Sequence, residues 1–272
     1  MNDKVILKKV LGQNFLKDSN IINKIVNSAS IDGDTFVIEI GPGGGAITNR
    51  ILSKAKFSLL YEIDGRLEDN LRKMLSNCNN YELIIDDFLK RDLKYDLGKY
   101  HYDKLYVVAS LPYYITTPII MKFIDENVLP DRFVIMMQKE VASRISASIG
   151  SKDYGSLTVF LDYYYDIKKL FDVSRNCFYP SPNVDSSVIC MDLKKNRLVV
   201  SDIELFKRIV RDSFRLKRKT LRNNLKDYDL EIIERVLNGY GFDLNVRAEM
   251  LKLEVFVDIT NGINLGRCDN EK

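Results

Sequence analysis

The amino-acid sequence predicts an α/β fold with a parallel sheet, followed by a small all-helical domain. Short apolar segments alternate with helical patterns through the first part of the chain, at the spacing of βαβ units. Beyond about residue 200 the pattern is helical and strongly basic. We therefore predict one domain over 1–199, a basic helical domain over 200–264 and a disordered tail over 265–272.

The predicted elements follow one another along the chain. Asp18 is the predicted N-cap of a first helix, whose apolar stripe ends at Ala29. Ser201 and Glu204 have the spacing of a capping box, which would start the helical domain. Two apolar segments, 156–165 and 185–193, are predicted to form a hairpin-like pair of strands at the end of the sheet. The other predicted strands are 35–40, 57–63, 81–88, 104–110 and 133–138, and the other predicted helices are 46–55, 66–75, 117–127 and 139–148.

Composition excludes several classes of protein. The chain has 272 residues, of which 46% are hydrophobic, so collagen-like and wholly disordered proteins are excluded. It contains no apolar run long enough for a membrane helix and no secretory signal pattern. One histidine and four scattered cysteines argue against a zinc site. We expect a reduced, metal-free, cytoplasmic protein.

Charge is distributed unevenly along the chain. The net charge is only +3, yet residues 207–226 contain nine basic residues and one acidic residue, a net +8. Such a block is typical of a site for a polyanion, although most charge runs are solvated helix faces. Because acidic partners at helical spacing are almost absent from this block, we favour a nucleic-acid contact.

Four predicted strands end in glycine, acidic, or polar and aromatic residues, which are types that can bind a ligand. These ends are Glu39 to Gly45, Glu62 to Asp64, Asp86 to Phe88, and Ser110 to Tyr113. In open α/β sheets, ligands bind beyond the carboxyl ends of the strands. One such end would be weak support, but four at one edge of one sheet predict a binding site.

The first two strand ends are typical of a nucleotide site. Residues 41–46 fit the G-x-G-x-x-A fingerprint, in which Gly41 and Gly43 let the backbone approach a ligand closely. A glycine-rich turn without a ligand would have the same composition. Glu62 lies 21 residues after Gly41, at the end of the second strand, where a carboxylate can accept from both ribose hydroxyls.

The adenine of such a nucleotide has its own candidate residues. Ile63 could pack on the adenine face, and Asp87 could accept from the adenine amino group. Asp86 is the competing acceptor, and the spacing does not separate the two aspartates.

The fourth strand end, Ser110-Leu111-Pro112-Tyr113, predicts the reaction. A polar residue followed by x-Pro-aromatic is the pattern of methyltransferases that act on amino groups. The exocyclic amine of a base is a poor nucleophile, because its lone pair is delocalised into the ring. Acceptors must hold both N–H groups while the nitrogen attacks a sulfonium methyl, and an aromatic ring stacks on the flipped-out base. An ordinary strand-to-helix turn is the competing interpretation of this tetrapeptide.

Taken together, these motifs resemble the ribosomal RNA adenine dimethyltransferases, most closely those of the KsgA type that act on the small subunit. The resemblance runs in order along nearly the whole chain, and it implies a Rossmann-like S-adenosylmethionine-dependent methyltransferase sheet followed by a helical RNA-binding domain. The matching segments are GQNFL (12–16), EIGPGGGAIT (39–48), EID (62–64), DDF (86–88), SLPYYITTP (110–118), QKEVASRI (138–145), YGSLTV (154–159), FYPSPNVDSSV (178–188), FRLKRKTLRNNL (214–225) and RAEML (247–251).

The resemblance also implies which residues bind the cofactor. Asn14 and Leu16 would close over S-adenosylmethionine. Gly41 and its neighbours would lie against the methionine part of this cofactor. Glu62 would bind the ribose, and Asp87 would bind the adenine amine.

For the target base, the resemblance implies that residues 110–113 hold the adenine and that Phe178 forms a second aromatic face. Phe178 could equally be a core residue. The family usually has Asn where this chain has Ser110. A serine side chain is shorter than an asparagine side chain, so its hydroxyl can accept only from an amine that lies closer to the backbone. This difference concerns the rate of methylation and the addition of the second methyl group.

The implied activity is N6,N6-dimethylation of two adjacent adenosines near the 3′ end of 16S ribosomal RNA, with a role in small-subunit biogenesis. The implied partners are small-subunit RNA and the pre-30S subunit. The protein is expected to be a monomer that binds neither a membrane nor a metal ion. Three alternatives stay open at this point: a large-subunit adenine methyltransferase of the resistance type, an RNA-binding assembly factor with reduced activity, and a nicotinamide dehydrogenase. The last would explain the glycines and Glu62, but neither residues 110–113 nor the basic block.

Overall fold

The computed structural model describes residues 14–111 and 115–270, with side chains up to residue 266. Contacts divide the chain into two compact units. The first unit comprises the residues up to 142 together with 168–193, and the second comprises 143–167 together with 194–272. The division into functional domains at residue 200 stays a prediction.

A seven-stranded mixed sheet forms the centre of the first unit. Its strands are β2 (Thr35–Ile40), β3 (Phe57–Glu62), β4 (Tyr81–Ile85), β5 (Lys104–Ser110), β6 (Arg132–Gln138), β7 (Tyr165–Val173) and β9 (Ser186–Leu193). Their order in the sheet is β4-β3-β2-β5-β6-β9-β7. Strands β2 to β6 run parallel, and β9 pairs antiparallel with β6. Two further strands, β1 (Phe15–Leu16) and β8 (Phe178–Tyr179), form a separate antiparallel pair.

Short helices connect the parallel strands, as the βαβ pattern predicts. They are α2 (Thr48–Leu52), α3 (Glu68–Met74), α4 (Leu93–Leu97) and α5 (Thr116–Asp125). Helix α1 (Ser19–Ala29) precedes the first parallel strand, and α6 (Lys139–Ile145) follows the last one. The predicted N-cap of α1 is confirmed, since the Asp18 carboxylate accepts from the backbone N–H groups of Asn20 and Ile21. The apolar stripe of α1 is buried in one core cluster with sheet residues that include Val108 and Val134.

The order of the strands creates a crevice. The chain leaves β2 towards β3 and β4 on one side, and returns to form β5 and β6 on the other side. At such a switch point the connections diverge, and a gap opens beyond the carboxyl ends of the two central strands. The residues after β2 and β5 therefore face each other across this gap.

The second unit is mainly helical. Its helices are α7 (Ser156–Tyr164), α8 (Ile203–Ser213), α9 (Leu221–Asn224), α10 (Leu230–Gly239) and α11 (Leu253–Asn270). The stripe of α8 at Leu205, Phe206, Ile209 and Val210 is fully buried. No helix in the described ranges is both long and apolar enough to cross a membrane.

The strand predicted at 156–165 is wrong, because Ser156–Tyr164 forms helix α7. Most of its side chains are buried, from Thr158 to Tyr164. A helix that is buried on most sides shows no 3.6-residue periodicity, and its aromatic and β-branched residues favour a strand assignment. The strand that neighbours β9 at the edge of the sheet is instead the following segment, Tyr165–Val173.

One predicted helix start in the C-terminal part is also wrong. Helix α11 extends to Asn270, into the segment for which the sequence predicts a disordered tail, and disorder of that tail stays a prediction. Gly262 and Gly266 lie against Ile232 of α10, so these glycines allow close helix packing. The N-cap of α8 is Asp202, whose carboxylate accepts from the backbone N–H of Leu205, and not Ser201.

Candidate functional site

A cavity lies at the carboxyl ends of the central strands of the first unit, and it collects the predicted site residues. Pro112 and Tyr113, which the sequence assigns to the target base, lie outside the described residues. The other predicted site residues all line the cavity, namely Asn14, Leu16, Gly41, Gly43, Glu62, Ile63, Asp87, Ser110, Leu111 and Phe178. The cavity is therefore formed by segments that are far apart in the sequence.

The glycine loop after β2 requires its glycines. Gly41 and Gly43 have φ values of 72° and 58°, a left-handed conformation that side chains disfavour. The ring of Phe15 covers Gly43 so closely that a Cβ on Gly43 would lie 2.9 Å from the Phe15 Cε1 atom. This loop consequently presents bare backbone to the cavity, with an aromatic ring beside it.

Glu62 ends β3 and is almost fully buried, with 4% of its surface exposed. Its Oε2 atom accepts from the backbone N–H of Gly43 at 2.8 Å, and its Oε1 atom accepts from the backbone N–H of Asp64 at 3.0 Å. Burial raises the pKa of Glu62, and these two backbone hydrogen bonds oppose that rise. Glu62 thus connects the ends of β2 and β3 and leaves further lone pairs on both oxygens.

Asp86 and Asp87 follow β4, and both line the cavity. The Asp86 carboxylate accepts from the backbone N–H of Asp87 at 2.7 Å and forms an ion pair with Arg91 at 3.2 Å. The Asp87 Oδ1 atom accepts from the backbone N–H of Leu89 at 3.0 Å, while its Oδ2 atom has, among the described residues, only a distant contact of 3.9 Å with Lys90. Asp87 therefore has the more available oxygen, which favours it as an acceptor for a ligand.

Ile63 lies between Glu62 and the following turn and is 51% exposed, although it lines the cavity. An exposed apolar side chain beside two carboxyl-bearing strand ends is suited to one face of an aromatic ring. Its position agrees with the predicted contact to a cofactor adenine, which itself stays a prediction.

Ser110 and Leu111 lie at the end of β5, on the other side of the crevice from the glycine loop. Ser110 pairs in register with Met136 of β6, and the backbone N–H of Leu111 donates to the Met136 carbonyl at 3.2 Å. These contacts fix the backbone up to the last described residue of this segment, and Met136 itself lines the cavity.

The position of Phe178 is compatible with a core residue and with a residue that contacts the target base, and the contact itself stays a prediction. Phe178 is 4% exposed and belongs to a core cluster, and it also lines the cavity. Its strand β8 pairs with β1, so that Phe178 lies opposite Leu16. The pairing is extended by the backbone N–H of Lys17, which donates to the carbonyl of Cys177 at 2.9 Å. The segment with Asn14 and Leu16 is thereby attached to the segment with Phe178.

Glu39 is a cavity residue that the sequence interpretation did not select. It is 2% exposed, its Oε1 atom accepts from the Thr48 hydroxyl at 3.1 Å, and its Oε2 atom has no partner among the described residues. Burial is the main reason that the pKa of Glu39 rises to about 8, and the nearby Glu62 adds to the rise. A sequence signal did exist, since an acid interrupts the apolar strand TFVIEI two residues before Gly41.

The basic block lies in the second unit. Residues 215–219, the turn between α8 and α9, are all exposed, and four of the five are basic. Ion pairs remove part of the charge elsewhere in the block, since Lys207 pairs with Glu204 and Arg222 lies 3.8 Å from Glu234. The turn is therefore the most available cationic surface of the block.

Comparisons with known proteins give a family match over almost the whole chain. The family model described as "Ribosomal RNA adenine dimethylase" matches residues 6–264. Ribosomal RNA small subunit methyltransferase A from Geobacillus thermodenitrificans (strain NG80-2) is 45% identical to this chain over 266 residues, which cover 94% of this chain and 90% of that protein.

Solved structures are similar over almost the same range. A dimethyladenosine transferase from Plasmodium falciparum has a TM-score of 0.79 at 26% sequence identity, covering 92% of this chain and 98% of that one. The 23S rRNA methyltransferase ErmE has a TM-score of 0.71 at 25% identity, covering 92% of this chain and 100% of that one. Both similarities include the sheet and most of the helical part.

Proposed function

Because the chain belongs to the ribosomal RNA adenine dimethylase family, we propose that it dimethylates N6 of two adjacent adenosines near the 3′ end of 16S ribosomal RNA. S-adenosylmethionine is the proposed methyl donor, and the reaction takes place on the pre-30S subunit in the cytoplasm, during small-subunit biogenesis. The protein is proposed to act as a monomer.

One observation carries this proposal. A single cavity is lined by the nucleotide-type residues Glu62 and Asp87, at the ends of β3 and β4, and by the base-type residues Ser110, at the end of β5, and Phe178 of β8. Methyl transfer needs the adenine N6 atom about 3–3.5 Å from the methyl carbon and in line with the C–S bond, because the new C–N bond forms while the C–S bond breaks. A dehydrogenase would need the first set of residues but not the second.

The residues on the cofactor side fit S-adenosylmethionine. This molecule carries a cationic ammonium and a cationic sulfonium group. The buried Oε2 atom of Glu39, which has no partner among the described residues, would be suited to such a cation, because a nearby positive charge favours the ionised carboxylate over the protonated form that burial favours. The bare backbone of Gly41 and Gly43 would accommodate the methionine part, Glu62 the ribose hydroxyls, and Asp87 the adenine amine. When bound, the cofactor supplies an electrophilic methyl group.

The residues on the target side would prepare the nucleophile. The Ser110 hydroxyl would accept from one N–H of the adenine amine, so that the nitrogen lone pair is directed at the methyl group. The buried ring of Phe178 would lie against the extracted base and exclude water. The amine becomes acidic only after it has attacked, so its proton is released without a strong base.

The exposed basic turn supports RNA binding. Arg215, Lys217, Arg218 and Lys219 are exposed in the second unit and could contact phosphates. Phosphate contacts fix the position of an RNA without reading its sequence. Selection of the target adenine would then depend on the shape of the RNA and on the cavity.

The principal alternative is an enzyme that acts on the large subunit. ErmE, a 23S rRNA methyltransferase, is 25% identical to this chain, whereas the relative with a small-subunit name is 45% identical. This difference favours the small subunit as the substrate.

The test is methyl transfer from labelled S-adenosylmethionine to unmethylated 30S subunits, with unmethylated 50S subunits as the matched control. We expect dimethyladenosine in 16S RNA and no label in 23S RNA. Label in 23S RNA alone would support the large-subunit alternative. Binding of the 30S subunit without any methylated product would support the assembly-factor alternative.

A further inference from the structure

Arg91 joins two carboxylates, Asp86 and Asp96, beside the proposed adenine pocket. Its Nε and Nη2 atoms donate to the Asp96 carboxylate at 3.0 Å and 2.5 Å, and its Nη1 atom donates to Asp86 at 3.2 Å. The Asp96 side chain is completely buried, and its Oδ2 atom also accepts from the hydroxyl of Tyr61 at 3.1 Å. Arg91 is therefore held by a bidentate pair on one side and holds Asp86 on the other.

Asp86 transmits this restraint to Asp87. One oxygen of the Asp86 carboxylate pairs with Arg91, and the other accepts from the backbone N–H of Asp87. Both Asp86 oxygens are therefore engaged, and the backbone of Asp87 is fixed by the same carboxylate. Asp87 lines the cavity, and its Oδ2 atom is the less engaged of its two carboxylate oxygens.

We propose that Arg91 is a positioning residue that makes Asp87 the acceptor for the cofactor's adenine amine, by engaging Asp86 and orienting the Asp86–Asp87 turn. This inference rests on the proposed function, since it assumes that the pocket holds an adenosyl group. It adds a specificity determinant that does not itself touch the cofactor. Without Arg91 the turn loses its link to the buried Asp96, and the position of the acceptor is no longer fixed.

The consequence is selective for one atom of the ligand. Adenine offers an N–H donor at its 6-position, whereas hypoxanthine offers a carbonyl oxygen there. A correctly positioned Asp87 favours the first and disfavours the second, because a carboxylate facing a carbonyl finds no donor. Displacement of Asp87 should therefore weaken binding of the adenine form and leave the hypoxanthine form nearly unchanged.

The experiment measures calorimetric dissociation constants of the full chain for S-adenosylhomocysteine and for S-inosylhomocysteine. We expect the wild type to prefer the adenosyl ligand. In Arg91→Gln we expect the dissociation constant for the adenosyl ligand to rise roughly 3- to 10-fold, as for one lost hydrogen bond, with the inosyl constant changed less than about 2-fold. The matched control is Arg72→Gln, which removes another arginine–carboxylate pair, with Glu68 on the surface of α3, and should change neither constant.

Since Arg91→Gln also leaves the buried Asp96 without its ion pair, Asp86→Asn serves as a second variant. Asp86→Asn keeps an oxygen for the Asp87 N–H but disrupts the contact with Arg91. Like Arg91→Gln, it should lower the preference for the adenosyl ligand over the inosyl ligand. Equal weakening of both ligands in the two variants would assign Arg91 a purely structural role and overturn the inference, as would an unchanged preference. A wild type that binds neither ligand would overturn the proposed function itself.

Discussion

The carboxylate of Glu62 accepts a hydrogen bond from the backbone N–H of Gly43 at 2.8 Å, and so joins the end of β3 to the glycine loop after β2. The same side chain also accepts from the backbone N–H of Asp64. Glu62 therefore shapes the loop in addition to facing the cavity. Replacement of Glu62 should weaken ligand binding for two reasons: the ligand loses a hydrogen-bond acceptor, and the glycine loop loses the hydrogen bond that fixes it.

We expect Glu62→Ala to weaken S-adenosylhomocysteine binding by roughly 30- to 1000-fold, which corresponds to about 2–4 kcal/mol for a charged acceptor of two hydrogen bonds. Calorimetry on the folded variant measures this loss. Glu68→Ala is the matched control, because Glu68 lies on the surface of α3 and pairs only with Arg72 among the described ion pairs. A Glu62 variant with the wild-type dissociation constant would remove this residue from the site.

Ser110 should contribute to the methylation step more than to cofactor binding. We expect Ser110→Ala to slow single-turnover methylation by about 5- to 150-fold, the equivalent of 1–3 kcal/mol for one orienting hydrogen bond. Ser110→Asn restores a longer acceptor and should preserve or raise the rate. The assay resolves monomethyl from dimethyl adenosine, and equal rates for wild type and Ser110→Ala in both steps would exclude a role for the hydroxyl.

Charge reversal in the basic turn should weaken RNA binding without affecting the cofactor. In the double variant Arg218→Glu and Lys219→Glu, each lost phosphate contact should reduce the log–log salt slope by roughly 0.7–0.9. Filter binding to 30S subunits at several salt concentrations measures the slope. Reversal of Lys54 and Lys56, which are exposed in the first unit, is the control for net charge. A wild-type slope in the turn variant would mean that the turn is only solvated surface.

Glu39 should make the stability of the protein depend on pH. Burial raises its pKa to about 8 in the folded protein, from the usual 4.5. The folded state therefore holds a proton that the unfolded state has lost, so this contribution to stability is complete below about pH 4.5 and declines as the pH rises towards 8. Glu39→Gln keeps the size of the side chain and an oxygen for Thr48, but it removes the charge.

Urea unfolding of the wild type and of Glu39→Gln at about pH 5.5 and about pH 8 measures this effect. We expect the wild type to lose on the order of 2 kcal/mol relative to the variant between these two pH values. Glu68→Gln, an exposed substitution, should show no such difference. Parallel stability curves for wild type and Glu39→Gln would mean that Glu39 is ionised throughout.

The sequence predicts the residues that line the cavity better than it predicts some of the helices and strands around the cavity. Glycines, acids and the Ser110-Leu111 pair stand out at the ends of apolar strands, because buried parallel strands leave polar residues only where they end. The sequence places Glu39 at the end of the first strand but gives it no role, because its neighbours in the strand are apolar and no motif assigns one to it. Its carboxyl oxygen without a partner among the described residues becomes visible only in the structure.

The errors in the fold lie where the local sequence pattern is weak. Helix α7 is buried around most of its circumference and so shows no helical periodicity. Strand β7 (Tyr165–Val173) is a mostly exposed, charged edge strand with weak alternation. The pairing of β1 with β8 involves two residues on each side and leaves no periodic pattern. Gly266 lies within α11, where its close contact with Ile232 leaves no room for a side chain.

The position of β9 affects how the protein can be synthesised. This strand is the last of the sheet to leave the ribosome, yet it lies between β6 and β7. A nascent chain that ends before residue 186 pairs β6 only with β5, and β7 has no neighbour in the described sheet. Such a chain exposes an open strand edge, which favours association with other chains. Translation that stops between residues 173 and 186 should therefore yield an aggregating fragment and not a smaller stable domain.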